Sequence, residues 1–147
     1  MNFGFDCAPV VERLRERAGT LRQVETSAGI DAVLESSSGA VPAAFVFLSA
    51  DRSEPHRGGT RVLIQNTMIY VAVVLRVRNY RVEDLGSGAA DDLVPVRRDV
   101  AAQLLGWMPP DCELVFDHDS GRLEKYTSGI LWWQDIYRTR YINRVNP

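Results

Sequence analysis

Residues 60–79 read TRVLIQNTMIYVAVVLRVRN. Val71, Val73, Leu75 and Val77 recur at every second position, with Arg76 and Arg78 on the opposite side. A period of two is that of a β-strand. Val62, Leu63 and Ile64 carry the same apolar character upstream. Between the two parts, Gln65-Asn66-Thr67 either turns the chain from one strand into another or bends a single long strand. The sequence leaves both geometries open.

Working outward, residues 43–49 (AAFVFLS) are apolar on both sides of the chain, which suits a strand buried centrally in a sheet. Residues 51–59 (DRSEPHRGG) are polar and aperiodic, with one proline and two glycines, and are expected to form an exposed loop. A loop of that length exceeds the usual connection and is a candidate for function. Further upstream, Val10, Val11, Leu14 and Ala18 repeat at helical spacing. Asp6 is placed to cap that helix, Pro9 falls in its first turn and Gly19 stands where a C-terminal cap is expected. A short strand at residues 21–25 and a short helix after Ser27 or Gly29, with Ile30, Val33 and Leu34 on one side, fill the interval.

On the downstream side, residues 81–90 contain Gly86-Ser87-Gly88 and read as a loop. A third helix is expected from about residue 91 to 105, with Leu93, Val96, Val100 and Leu104 on its apolar stripe and Pro95 in its first turn. Gly106 stops it. The remainder reads as β structure: a strand at residues 113–116, a turn at 117–121, a strand at 122–126, a turn at 127–129, and a long strand at 130–142 (ILWWQDIYRTRYI). The expectation is an α+β fold, a single domain over residues 1–147, with a mixed or antiparallel sheet packed against about three helices.

Composition narrows the function. The chain has 147 residues, 46% hydrophobic and 24% charged, the balance of a globular protein. Its net charge of −2 gives no general attraction to nucleic acid or to an anionic membrane. No stretch nears the roughly 18 apolar residues of a membrane helix, and the first residues lack a signal-peptide pattern. Cys7 and Cys112 are therefore expected as free thiols in a cytosolic setting. Lys125 is the one lysine among 17 basic residues. Base composition of the genome explains such a bias; arginine also suits planar contacts at protein interfaces.

No catalytic or cofactor motif emerges. Cys7, His56, Cys112 and His118 fall into no zinc spacing, and Asp117-His118-Asp119 reads as a turn. His56 has no nucleophile in a recognisable frame, and neither Gly58-Gly59 nor Gly86-Ser87-Gly88 has a phosphate-loop frame. No catalytic, cofactor-binding or metal-ligating residue is expected. Trp132 and Trp133 face opposite sides of their strand, so at least one should enter the core. Arginines with aromatics are what assembly interfaces favour. The candidate contact residues are Arg52, His56, Arg57, Arg76, Arg78, Trp133, Arg138 and Arg140.

A family resemblance rests on three motifs. Residues 100–110 (VAAQLLGWMPP), Gly121-Arg122-Leu123, and residues 129–141 (GILWWQDIYRTRY) resemble the phage tail terminator-like proteins, with an LLGW-P turn after a helix and a closing strand of the LWWxDxFxTRY type. The strands at 43–47 and 70–79 are also similar, so the likeness spans roughly residues 8–142; it does not extend to 51–59 or beyond 142. The resemblance implies a non-enzymatic virion protein, similar to lambda-type terminators. Such subunits form a hexameric ring that caps the tail tube, stops its polymerisation and offers a surface to the head. It implies as partners further copies of the chain, the tail tube protein and a head–tail connector protein, with DNA only passing through the lumen and no membrane. The place implied is the virion tail, and the host cytoplasm during assembly. A ring requires two complementary patches per subunit. The arginine strand faces are expected to meet acidic surfaces such as Glu12/Glu16 or Asp91/Asp92 of the next subunit, and residues 52–59 to touch the tube or a neighbour. The alternatives are another head–tail joining or baseplate protein, or a small DNA-binding or enzymatic domain; in the DNA-binding case the arginines of the strand faces meet phosphates.

Overall fold

The computed structural model describes residues 2–35, 39–59, 61–78 and 92–147. The expected loop at 81–90, with Tyr80, Arg81 and Asp91, lies outside them, as do the serines at 36–38. The elements run α1 (Ala8–Arg17), β1 (Gln23–Thr26), α2 (Ile30–Glu35), β2 (Ala43–Ser53), β3 (Leu63–Arg78), α3 (Leu93–Leu104), β4 (Asp117–Thr127) and β5 (Ile130–Val145). The strands form one sheet in the order β1-β2-β3-β5-β4. β1 is parallel to β2 and every other pairing is antiparallel. The fold is therefore α+β with a mixed sheet, as the alternation of patterns predicts.

β3 occupies the centre, and residues 71–77 are buried on both faces. Val71, Val73, Leu75 and Val77 pack with α1 and α3: Val10, Val11 and Leu14 from one helix, Val96, Val100 and Leu104 from the other. Ala72 and Val74 pack on the reverse face with Val33 of α2, Phe45, Phe47 and Trp132. Each such fully buried aliphatic side chain contributes roughly 1.5–3 kcal/mol. Trp132 enters the second cluster while Trp133 packs against the first, as alternation along a strand requires.

Gln65-Asn66-Thr67 forms no turn. The three residues pair in register with Asn143, Ile142 and Tyr141 of β5, so β3 is one continuous strand. Side-chain bonds hold these turn-prone residues extended: Thr67 Oγ1 with Ser53 Oγ at 2.8 Å, and Gln65 Nε2 donating to the Glu54 carbonyl at 2.9 Å. β2 likewise outruns expectation. Asp51, Arg52 and Ser53 belong to the strand, after a bulge between Leu48 and Ala50, and only the stretch beyond them is loop.

The region after α3 departs most from its reading. Residues 113–116 are not a strand; they are tied across to Trp107 and Arg140 by backbone bonds from Phe116 and Glu113. Residues 117–121 are not a turn but the start of β4, since β5 offers them a continuous partner. Two bulges, between His118 and Ser120 and between Leu123 and Lys125, absorb the residues that do not fit the ladder. The expected turn at 127–129 is a tight hairpin in which Ser128 (φ 52°) and Gly129 (φ 75°) both adopt positive φ. Gly106 (φ 79°) ends α3 as expected. Gly19 does not cap α1, which closes at Ala18 with its N–H on the Leu14 carbonyl.

Candidate assembly interface

α2 covers only one end of its sheet face. Toward the other end, strand register aligns exposed and half-buried side chains in rows. One row runs Ala50–Tyr70–Arg138–Asp117 across four strands, and the next runs Arg52–Met68–Arg140 across three. Ile64 and Arg144 pair further along. Residues directly opposed across strands share a side of the sheet. Register thus gathers Arg52, Arg138, Arg140 and Arg144 with Tyr70, Met68 and Ile64 on a single face.

These arginines differ in how far their charge is already matched. Arg138 donates through Nε and Nη2 to both oxygens of Asp117 (2.8 and 3.0 Å) and through Nη1 to Asp119 (3.2 Å). The hydrogen bond to Asp117 raises its pKa further above the ordinary guanidinium value. Among the described residues Arg52, Arg140 and Arg144 form no ion pair, and the buried Nε of Arg140 has no hydrogen-bond partner. The free positive charge of this face therefore comes from Arg52, Arg140 and Arg144.

The remaining predicted contact residues lie elsewhere. Arg76 shares the same side of β3 but is only 2% exposed, contrary to its expected place on an open strand face. Its Nη2 donates to the Ala40 carbonyl at 2.9 Å and its guanidinium lies 5.2 Å from the Phe45 ring. Burial lowers its pKa from the usual value. Arg78 is exposed at the end of β3. His56 and Arg57 are exposed beyond β2, where the Arg57 backbone exchanges two hydrogen bonds with Ile64 (2.6 and 2.7 Å). Trp133 is on the opposite face, half-buried beneath Arg97 (4.8 Å to the ring centre).

A second polar cluster went unread in the sequence. The Asp135 carboxylate is buried and accepts from Arg97 Nε and Nη2 (2.8–3.1 Å), from Trp133 Nε1 (3.2 Å), and contacts His118 Nε2 at 2.8 Å. Arg97 has its pKa raised by the hydrogen bond to Asp135. Tyr137 is pushed upward by burial and by the same carboxylate. Gly121 makes the packing possible, because a Cβ there would lie 2.6 Å from Asp135 Oδ1 and 2.7 Å from Arg97 Nη2. The one sequence signal was parity: Asp135 falls on the inward side with Trp133 and Tyr137, where a charge needs a partner. The cluster ties α3 to β4 and β5. No group of three or more potential metal ligands occurs among the described residues. Cys7 and Cys112 are unpaired thiols, both with pKa raised chiefly by burial.

The family model described as phage tail terminator protein matches residues 1–147, the whole chain. The chain belongs to the phage tail terminator family. No curated protein matches it. Membership makes this terminator a structural component of the phage tail, and so places it in the virion. Among the described residues no helix is long and apolar enough to cross a membrane.

Proposed function

We propose that this terminator assembles as a closed ring, hexameric by analogy with its family, on the end of the tail tube. The ring stops tube polymerisation and presents its outer side to the head–tail connector protein. DNA passes through the lumen, and no bond is made or broken. The observation that carries the reading is the open end of the β2-β3-β5 face. There Arg52, Arg140 and Arg144 bear unmatched charge beside Tyr70 and Met68. Aromatic and methionine surface beside arginine is the composition of a protein contact.

In a closed ring each contact is head-to-tail, so this face meets a different, acidic patch of the neighbouring copy. Exposed Glu12 and Glu16 of α1 supply one. The loop after β2, with exposed His56 and Arg57, reaches the tube protein. A whole-chain family match favours this role over another joining or baseplate protein. Electron microscopy of purified tail tubes mixed with the protein tests it. A ring at one end of each tube, with no further addition of tube protein there, is expected. Protein scattered along the tube, or absent from its ends, would refute it.

A further inference from the structure

A groove of about 300 Å³ opens between α3 and the β4–β5 hairpin, lined by Val94, Ala101, Leu105 and Tyr137. Arg97, Arg98 and His118 complete its walls. Val94 and Leu105 are 47% and 46% exposed, so this apolar surface lacks cover among the described residues. An apolar cavity of about 150 Å³ already accepts benzene, so an aromatic ring fits here.

The chain also carries a matching knob. Phe3 is 72% exposed, the most exposed large apolar side chain described. It is not on a loose end. The Asn2 N–H donates to Asn143 Oδ1 and Asn143 Nδ2 donates to the Asn2 carbonyl, both at 2.8 Å. Asn2 Nδ2 also reaches the Asp111 carbonyl at 3.4 Å. Buried Asn143 thus clamps the backbone of Asn2, next to the exposed Phe3 ring. Exposed Asp6 and Asp111 gather around Asn2, the residue before Phe3, while exposed Arg98, which forms no ion pair among the described residues, lines the groove. Opposite charges around an apolar plug set the register of such a contact.

We propose that Phe3 of one copy seats in the α3–β4 groove of the next copy. Knob and groove are different surfaces of one chain, so the contact can repeat head-to-tail from copy to copy around a ring. This inference rests on the ring reading above and adds a second contact to it.

The test places the photo-reactive residue p-benzoylphenylalanine at position 3 of the full chain. Copies of two isotopic masses are mixed, bound to tail tubes, irradiated and mapped by mass spectrometry. The expected result is a crosslink between chains, from position 3 to the α3 peptide that includes Val94, Ala101 and Leu105. Leu105→Glu, at an exposed position, is expected to lower its yield about tenfold, the effect of losing one buried apolar contact. Phe3→Ala should weaken copy-to-copy association by a similar factor. Crosslinks to any other peptide, crosslinks within one chain, or none at all overturn the proposal. If rings still cap the tubes in that case, the ring reading stands without the knob. If no rings form with the unaltered chain, both fall.

Discussion

Arg97 and Asp135 lie 38 residues apart on α3 and β5, yet the guanidinium grips the carboxylate through Nε and Nη2 at 2.8–3.1 Å. The carboxylate side chain is 1% exposed and that of Arg97 is 38% exposed. The pair is the polar bolt between the outer helix and the β4–β5 hairpin, and Trp133 and His118 share it.

Removing the acid costs the charge-assisted hydrogen bonds to Arg97, a guanidinium that solvent already reaches in part. Asp135→Asn should therefore destabilise the chain by about 2 kcal/mol. For a chain of this length that corresponds to a fall in Tm of roughly 4–8 °C. Thermal and urea denaturation measure it. A loss under about 1 kcal/mol would mean that the ion pair does not secure α3.

Gly121→Ala should act on the same bolt without touching its charges. The new methyl would meet Asp135 Oδ1, Arg97 Nη2 and the Trp133 ring (3.1 Å). Overpacking of this kind costs about 1–3 kcal/mol. Combined with Asp135→Asn, the two losses should be clearly less than additive, because they break one cluster. Additive losses in a double-mutant cycle would place the strain elsewhere.

Charge reversal separates the arginines of the open sheet face. Arg52→Glu and Arg140→Glu put like charges against an acidic neighbour and should abolish ring formation on tubes while leaving the fold, read by circular dichroism, intact. Arg138 is already matched by Asp117 and Asp119, so Arg138→Gln should act more weakly on assembly. Rings unaffected by Arg52→Glu and Arg140→Glu would remove this face from the subunit contact.

Cys7 supplies a pH test. Burial, helped by the Asp6 charge, pushes its thiol from 9.0 up to about 11. The folded-state pKa exceeds the unfolded one, so the unfolded chain loses this proton first as pH rises. The thiol's contribution to stability is complete below pH 9.0 and is lost as pH rises toward about 11. Cys7→Ala should reduce the fall in denaturation midpoint across that window. An equally steep fall in the variant would assign it to other groups.

Much of this architecture could be read from local pattern. The period-two run at 71–77 marked the central strand, and alternation at Trp132 and Trp133 sent the rings to opposite faces. Gly106 and Gly129 marked a helix end and a hairpin because their positive φ is costly for other residues. The LLGW and closing-strand motifs pointed to the family. What pattern could not supply was register. Asp117–Gly121 looked like a turn until β5 paired with it, and Gln65-Asn66-Thr67 stood open between a turn and a bend in one strand until β5 ran past it. The burial of Arg76 depends on the Ala40 carbonyl and the Phe45 ring, distant in sequence. The arginine rows of the candidate interface exist only once β2, β3 and β5 are aligned.

The central claim is that this protein ends tube growth by capping. Electron micrographs of tails assembled in a host with and without it measure that directly, as a distribution of tube lengths. The account predicts one narrow length with the protein and overlong, headless tubes without it. Tubes of unchanged, uniform length in its absence would contradict it.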